Sequence, residues 1–521
     1  MDDSAEMRER ILCLVMVSLW WADAQADWRA DAGYYDLQVE LGSSLPDGTG
    51  IEVLQSEANA AVPPALSYLP QGTGAPGTFE GTGSFAGKWF TAHSGAGGAS
   101  GHASAVGTYF YTAGGSISPG VAQVHCYEAE DFITRLSGGE NGDPLVFPAS
   151  VQNHSWVGSF GVEAQDVDAL RRLDYMIARD QAVCVTPLNN GNTMYGLLSN
   201  AWHSIAVGLK SGNHPQSGTI VDGTGRMKPD LVVGVDLTSF AGPAVASAAA
   251  LLLDGIRPGL PAADDPRVLK AILLAGASKV NLPAWHRTAS NRPYDNVWGA
   301  GELNVLNAWH ILSAGEKIHS NGSEVGLKGW HHGTTSNTEA RRYFFTIPEG
   351  RWGATFSAAL TWHRTISPPF ETTVLSNLDL KIRKADGFVV SGSAVDESSS
   401  LVDNVEHVFL RNLPSGQYVL EIPATDLAVD YGLAWEVQLG QGPRLSLSRN
   451  ESNEPVLALS GLDPFVSYEI EASSELTAGT WDTLISIRTA DATASTTATW
   501  TDTTTPPSGP RFYRLRWTGG P

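Results

Sequence analysis

The stretch "LTSFAGPAVASAAALLLD" (237–254) sets one hydroxyl pair, Thr238-Ser239, in front of a run with almost no polar side chain. A run that is apolar all round reads as a buried helix, and its alanines let neighbouring backbones come close. A serine at the head of such a helix has two physical readings. It can cap the helix, accepting from an orphan N–H of the first turn. It can instead be a nucleophile, set where backbone N–H groups and the helix dipole favour the negative charge of acyl transfer. The rest of the chain decides between them.

Around this helix the pattern alternates short apolar runs with helical stretches from about 49 to 314. Strands are expected at 50–55, 121–127, 181–186, 204–208 and 230–234, and helices at 163–179, 239–254, 265–277 and 302–313. Near-continuous apolar strands between helices imply a parallel sheet covered on both faces. Beyond 315 the period changes to two: "LSNLDLKIRKADGFVV" (375–390) alternates Leu378, Leu380 and Ile382 with charged residues and turns at Asp386-Gly387. "LRNLPSGQYVLEI" (410–422) turns at Pro-Ser-Gly and alternates Tyr418, Leu420 and Ile422. That is β-sandwich patterning. A Thr/Ser/Pro-rich tail holding "SYEIEASSEL", "GTWDTLISI" and "RFYRLRW" reads as a further small β unit.

Bulk properties bound the function. At 521 residues two or three domains are expected, and 42% hydrophobic with 17% charged residues is a globular composition. A formal net charge of −22 argues against nucleic acid or an anionic membrane as partner, since both call for a basic face. At the N-terminus, Arg8 and Arg10 precede "ILCLVMVSLWW" (11–21) and the small-residue stretch "ADAQA". The combination describes a secretory signal peptide, too short to span a bilayer comfortably. The alternative is a buried helix, and the acidic Asp2, Asp3 and Glu6 dilute the basic flank. The expected organisation is a signal peptide (1–26), a short leader (27–48), the α/β domain (49–314), a β-sandwich (315–440) and a small β domain (441–521). No stable membrane span is expected later in the chain. Processing would remove Cys13, leaving Cys126 and Cys184 in apolar strands as buried free thiols, which is no disulfide framework.

Three further stretches bear on Ser239: "SGHASAVGTYFYT" (100–112), "AVCVTPLNNGN" (182–192) and "GRMKPDLVV" (225–233). Singly each is weak, since a lone His is most often a packed core residue and Asn-Asn-Gly is usually a turn. In order, they resemble the blocks of the subtilisin-like serine peptidases. The resemblance implies a three-layer α/β domain over 49–314, His102 as general base, Asn189 as donor into the oxyanion hole and Ser239 as nucleophile. It also makes "VQNHSWVGS" (151–159) the strand flanking the substrate, with Trp156 as an aromatic wall. It implies protein or peptide substrates and no cofactor for the chemistry; calcium, common in the family, has no ligand set that can be placed here. No HExxH, CxxC or Walker loop offers a competing metal or nucleotide reading.

The departures are as informative. The family's first block ends an apolar strand in Asp, and "IEVLQSEAN" has Gln55 at that position. Gln55 carries no charge to stabilise a protonated His102. Glu57, two residues on, shares Gln55's side of an extended strand, whereas Glu52 faces away. Glu57 is therefore the expected third member of the triad, with a solvated loop residue as the alternative. Leu237 and Ala244 stand where the family has Gly and His. Two functions follow: a secreted serine endopeptidase, or an impaired relative that binds peptides extracellularly without cleaving them.

Overall fold

The computed structural model describes residues 27–519, except 73–75, 140–141, 257–260, 350, 352, 441–443, 461, 463–466, 476–480, 489–497 and 505–510. The expected signal peptide lies outside the described residues.

Eight strands form the central sheet: β1 (Glu52–Glu57), β2 (Gly77–Glu80), β3 (Trp89–Ala92), β4 (Gln123–Glu128), β5 (Val151–His154), β6 (Val183–Pro187), β7 (Ile205–Leu209) and β8 (Leu231–Val233). Their spatial order is β8-β7-β6-β5-β1-β4-β3-β2. Every pairing is parallel except β2 with β3. β5, β6 and β7 are buried along their whole length; β6 and β7 therefore read as near-continuous apolar runs without alternation, whereas β5 (VQNH) buries three polar side chains. The edge strand β2 and its neighbour β3 were not expected; "GTFE" and "KWFTA" carry neither a long apolar run nor a clear period.

Eight helices accompany the sheet among the described residues: α1 (Trp28–Asp31), α2 (Tyr34–Leu41), α3 (Gly101–Tyr111), α4 (Ala129–Arg135), α5 (Glu163–Asp180), α6 (Thr238–Asp254), α7 (Pro266–Gly276) and α8 (Val305–Ser313). α6 runs against β5, β6 and β7 on one side and α3 and α8 on the other. Fourteen of its residues are buried, as an all-round apolar helix requires. The three-layer α/β architecture implied by the ordered blocks is present. Residues 27–48 are a working part of it: Trp28 and Leu37 are buried in the main core, and the Val305 N–H donates to the Ala32 carbonyl at the start of α8.

Two four-stranded antiparallel sheets follow. β9 (Lys328–Thr334), β11 (Gly353–Trp362), β14 (Val405–Leu413) and β16 (Asp430–Leu439) make one, in the order β9-β16-β11-β14. β10 (Arg341–Ile347), β12 (Leu380–Asp386), β13 (Val389–Ser398) and β15 (Gly416–Ile422) make the other, in the order β10-β15-β12-β13. The alternating Leu378, Leu380, Ile382, Tyr418, Leu420 and Ile422 all enter the core between them. The first sheet lies on α7, and Trp330, Ala359, Val405 and Ala434 join the α/β core. Two three-stranded sheets close the chain around a small core of Leu457, Leu459, Leu462, Tyr468 and Ile470.

The junction between body and sandwich also carries charge. Arg364, which follows β11, donates to Asp174 of α5 at 2.8 Å and pairs with Asp222, all three nearly inaccessible. Cys126 and Cys184, both buried and free, sit on β4 and β6 with β1 and β5 between them. At about 4.8 Å per strand that separation is well beyond disulfide reach.

Candidate active site

Parallel strands β1, β5 and β6 all end on the same edge of the sheet, where ligands of open α/β sheets bind. Glu57 is the last residue of β1; Ser155 and Trp156 follow β5; Leu188 to Asn190 follow β6. The start of α3 and the start of α6 face this edge. Between them lies a cleft of about 310 Å³ whose walls include His102, Ser155, Trp156, Asn189, Asn190 and Ser239. The structure thus brings His102, Asn189 and Ser239 to one cleft.

Ser239 is the second residue of α6, and it is half-buried. It is not the helix cap. The cap position is Leu237, whose side chain makes no capping bond, and the first-turn donor is satisfied from outside the helix. The Asn190 side-chain oxygen accepts from the Thr238 N–H at 2.9 Å and from the Thr238 hydroxyl at 3.1 Å. One residue of the Asn-Asn-Gly turn thereby ties the end of β6, with Asn189, to the start of α6, with Ser239.

Pro243 is the sixth residue of α6. Its missing N–H is the one that would bond the Ser239 carbonyl four residues earlier. The Ser155 hydroxyl donates to that carbonyl instead, at 3.0 Å, and itself accepts from the Asn153 side-chain N–H at 2.8 Å. Gly242 makes the approach feasible, since a Cβ there would come within 2.9 Å of the Asn153 side-chain oxygen. The proline, the glycine and the "NHS" of β5 are one arrangement that fixes the backbone of Ser239.

His102 stands in the first turn of α3, which Ser100 caps by accepting from the Ala103 N–H at 3.3 Å. Its Nδ1 lies 2.7 Å from Oε2 of Glu57. Glu57 is buried, with its side chain 1% exposed, while the His102 side chain is 29% exposed toward the cleft. The Nδ1 proton is claimed by the carboxylate, which leaves Nε2 as the acceptor. Burial disfavours the charged ring, but the charge of Glu57 and its hydrogen bond outweigh burial and hold the His102 pKa above its ordinary value. Phe240, next to Ser239, stacks on Tyr109 of α3 at 4.9 Å and lies 6.5 Å from the His102 ring. These rings pack α3, which bears His102, against α6, which bears Ser239.

Gln55 does not face the His102 ring. Its side-chain N–H groups donate to Oε1 of Glu57 and to the Ala103 carbonyl, each at 2.8 Å, and its oxygen accepts from the Tyr111 hydroxyl at 2.5 Å. Glu52 is exposed and pairs with His125, away from this network. Trp156 lines the cleft, is itself largely buried, and its indole N–H donates to the Ser56 hydroxyl at 3.0 Å. Asn190, Ser155 and Tyr111 were missed in the sequence, because nothing local marks a side chain that acts across elements.

Among the described residues no group of three or more His, Cys, Asp or Glu could hold a metal ion, and no helix is long and apolar enough to cross a membrane.

No family model and no curated protein matches the chain. Solved structures similar to it include the serine protease of Aeromonas sobria, at 12% identity over 87% of this chain and 88% of that one, with a TM-score of 0.34. A mutant of the protease domain of PatA matches at 16% identity over 52% of this chain and 98% of that one, with a TM-score of 0.32. The nisin leader peptidase NisP from Lactococcus lactis matches at 15% identity over 55% of this chain and 93% of that one, with a TM-score of 0.31. At such identities and scores the likeness carries no argument about what this chain does, and the functional reading rests on the cleft itself.

Proposed function

We propose that the chain is a subtilisin-like serine endopeptidase that works by an acyl-enzyme mechanism, with Ser239 as nucleophile, His102 as general base and Glu57 as the acid. The observation that carries the reading is the 2.7 Å contact between His102 Nδ1 and the buried Glu57 carboxylate, in a cleft that also holds Ser239 and Asn189.

In this reading Nε2 of His102 takes the Ser239 proton as the hydroxyl oxygen attacks the substrate carbonyl carbon. The oxyanion accepts from the Asn189 side chain and from the Ser239 backbone N–H at the positive end of α6. His102 then gives its proton to the departing amine, leaving an acyl-Ser239 ester. Water, deprotonated by the same nitrogen, hydrolyses the ester and returns the proton to Ser239. Through both halves Glu57 holds the ring's tautomer and its transient charge.

Among the described residues the cleft walls carry no Lys, Arg, Asp or Glu, and offer Trp156, Val157, Leu188, Tyr195 and Leu237 alongside neutral amides and hydroxyls. A charged side chain seated there would lose water without gaining a partner. This supports peptide segments with neutral side chains as substrates. The basic, apolar and small-residue run at 1–26 supports export. A peptide-binding pseudoenzyme was motivated by the uncharged Gln55; a carboxylate two residues further on, already bonded to the base, favours the enzyme.

The test is hydrolysis of a diverse fluorogenic peptide library by the purified chain and by Ser239→Ala. Cleavage that Ser239→Ala abolishes supports the proposal; cleavage that it leaves intact, or none by the parent, refutes it.

A further inference from the structure

We infer that Gln55 and Tyr111 are positioning residues that lock the Glu57 carboxylate in the single orientation presented to His102. The kinetic consequence rests on the peptidase reading above, whereas the geometric one does not.

A glutamate at the end of β1 has one more rotatable bond than the aspartate of the family pattern, so it needs more restraint to hold one geometry. Gln55 supplies it. Tyr111 is fully buried, and burial keeps its hydroxyl protonated far above the usual range. The O–H is therefore a fixed donor, and it occupies the Gln55 oxygen. That leaves the amide nitrogen to face the Ala103 carbonyl and Oε1 of Glu57. A flipped amide would set its oxygen against both of those acceptors, neither of which has a proton to give. The hydrogen-bond partners therefore permit one orientation only. Glu57 then has Oε1 held by Gln55 and Oε2 left for His102. The bond to Ala103, the residue after His102, ties the strand that bears the acid to the helix that bears the base.

The surroundings leave little else to hold the carboxylate. Gln55 lies opposite Asn153 on β5, which is neutral, and opposite Cys126 on β4. Cys126 is fully buried with its thiol pushed up by burial and by the charge of Glu57, so it too stays neutral. The titratable groups around Glu57 are thus His102, Tyr111, Cys126 and, in register with it on β4, Glu128, whose carboxylate is turned to the start of α4, where it accepts from the Glu130 and Asp131 N–H groups. Gln55 is the group that replaces the family's charge with an uncharged clamp on a charge carried elsewhere.

The experiment compares the parent with Gln55→Met, Tyr111→Phe and the double variant, in full-length protein with isotope-labelled histidine. NMR follows the titration midpoint of the His102 ring, and kinetics follow the pH profile of kcat/KM. Gln55→Met keeps length and volume while removing the amide. It should move the His102 midpoint down toward its ordinary value and lower kcat about 10-fold with KM unchanged, the scale of a lost hydrogen bond to a charged group. Tyr111→Phe should move both in the same direction by less. Added to Gln55→Met it should do nothing more, because its effect passes through Gln55. An unchanged His102 midpoint in Gln55→Met, or additive effects in the double variant, overturns the inference. If Gln55→Met does not fold, Tyr111→Phe decides alone, and an unmoved midpoint there overturns it. If the parent cleaves no peptide while the His102 midpoint still moves as stated, the positioning stands and the peptidase reading falls.

Discussion

Glu57→Gln is the substitution whose outcome the structure specifies most fully. The change is nearly isosteric at a side chain that is 1% exposed, so the fold is retained. The new amide has to choose an orientation, and Gln55 chooses it. Because the Gln55 nitrogen donates to the Oε1 position, the introduced carbonyl oxygen must lie there, and the introduced NH₂ must point at Nδ1 of His102. Nδ1 then becomes an acceptor, the ring proton moves to Nε2, and Nε2 can no longer take a proton from Ser239. Two losses combine. A carboxylate facing an imidazolium at about 4 Å between charges contributes about 4 kcal/mol at an effective dielectric near 20, or about three decades in rate. The wrong tautomer compounds it, as in the Asp-to-Asn change of a serine protease that lowers kcat about 10⁴-fold. The expected fall in kcat is therefore about 10³- to 10⁴-fold with little change in KM, measured on the best library peptide with circular dichroism as the folding control. An enzyme within about 10-fold of the parent would refute the assignment of Glu57.

Other outcomes follow from the same geometry. Asn189→Ala should lower kcat by about 10²- to 10³-fold while leaving KM and the melting temperature near the parent's, as for loss of one oxyanion donor. Asn190→Ala removes the bonds that satisfy the first turn of α6 and should cost about 1 kcal/mol, read from denaturant unfolding, with a fall in activity as Ser239 loosens. The His102 pKa lies above 6.5 and the base must be neutral, so kcat/KM should rise with pH through a midpoint above 6.5 and fall on acidification. The same shift makes the His102–Glu57 pair stabilising below 6.5, a contribution lost as pH rises through the folded midpoint. Arg364→Ala leaves the buried Asp174 without its cation, while Asp222 keeps Arg171, and should destabilise the chain by about 3 kcal/mol, visible as a lower melting temperature.

The sequence carried the α/β layout because buried parallel strands and an all-round apolar helix have their own patterns. Ser239, His102 and Asn189 were legible as ordered blocks. Glu57 was legible by strand period, which put it on Gln55's side. The alternation around Leu380 and Tyr418 likewise marked the sandwich. What stayed hidden was whatever depends on a partner far along the chain. The Ser155 hydroxyl, 84 positions from Ser239, replaces the N–H that Pro243 lacks, and no local motif announces it. Asn190 looks like half of a turn until α6 is placed beside it. Residues 27–48 read only as a short leader because Trp28 and Leu37 are too few to form a period, yet both are buried in the main core. Gln55 read as a lost acid since its partners, Tyr111 and Ala103, lie on another element.

The central claim is that Ser239 is an activated nucleophile, and one measurement reaches it directly. The intact protein is treated with a fluorophosphonate probe at neutral pH, and the modified residue is mapped by mass spectrometry after digestion. A single label is expected on the Ser239 hydroxyl, absent from Ser239→Ala, and formed about 10³-fold more slowly in Glu57→Gln. A folded parent that takes up no label, or takes it on another serine, would contradict it.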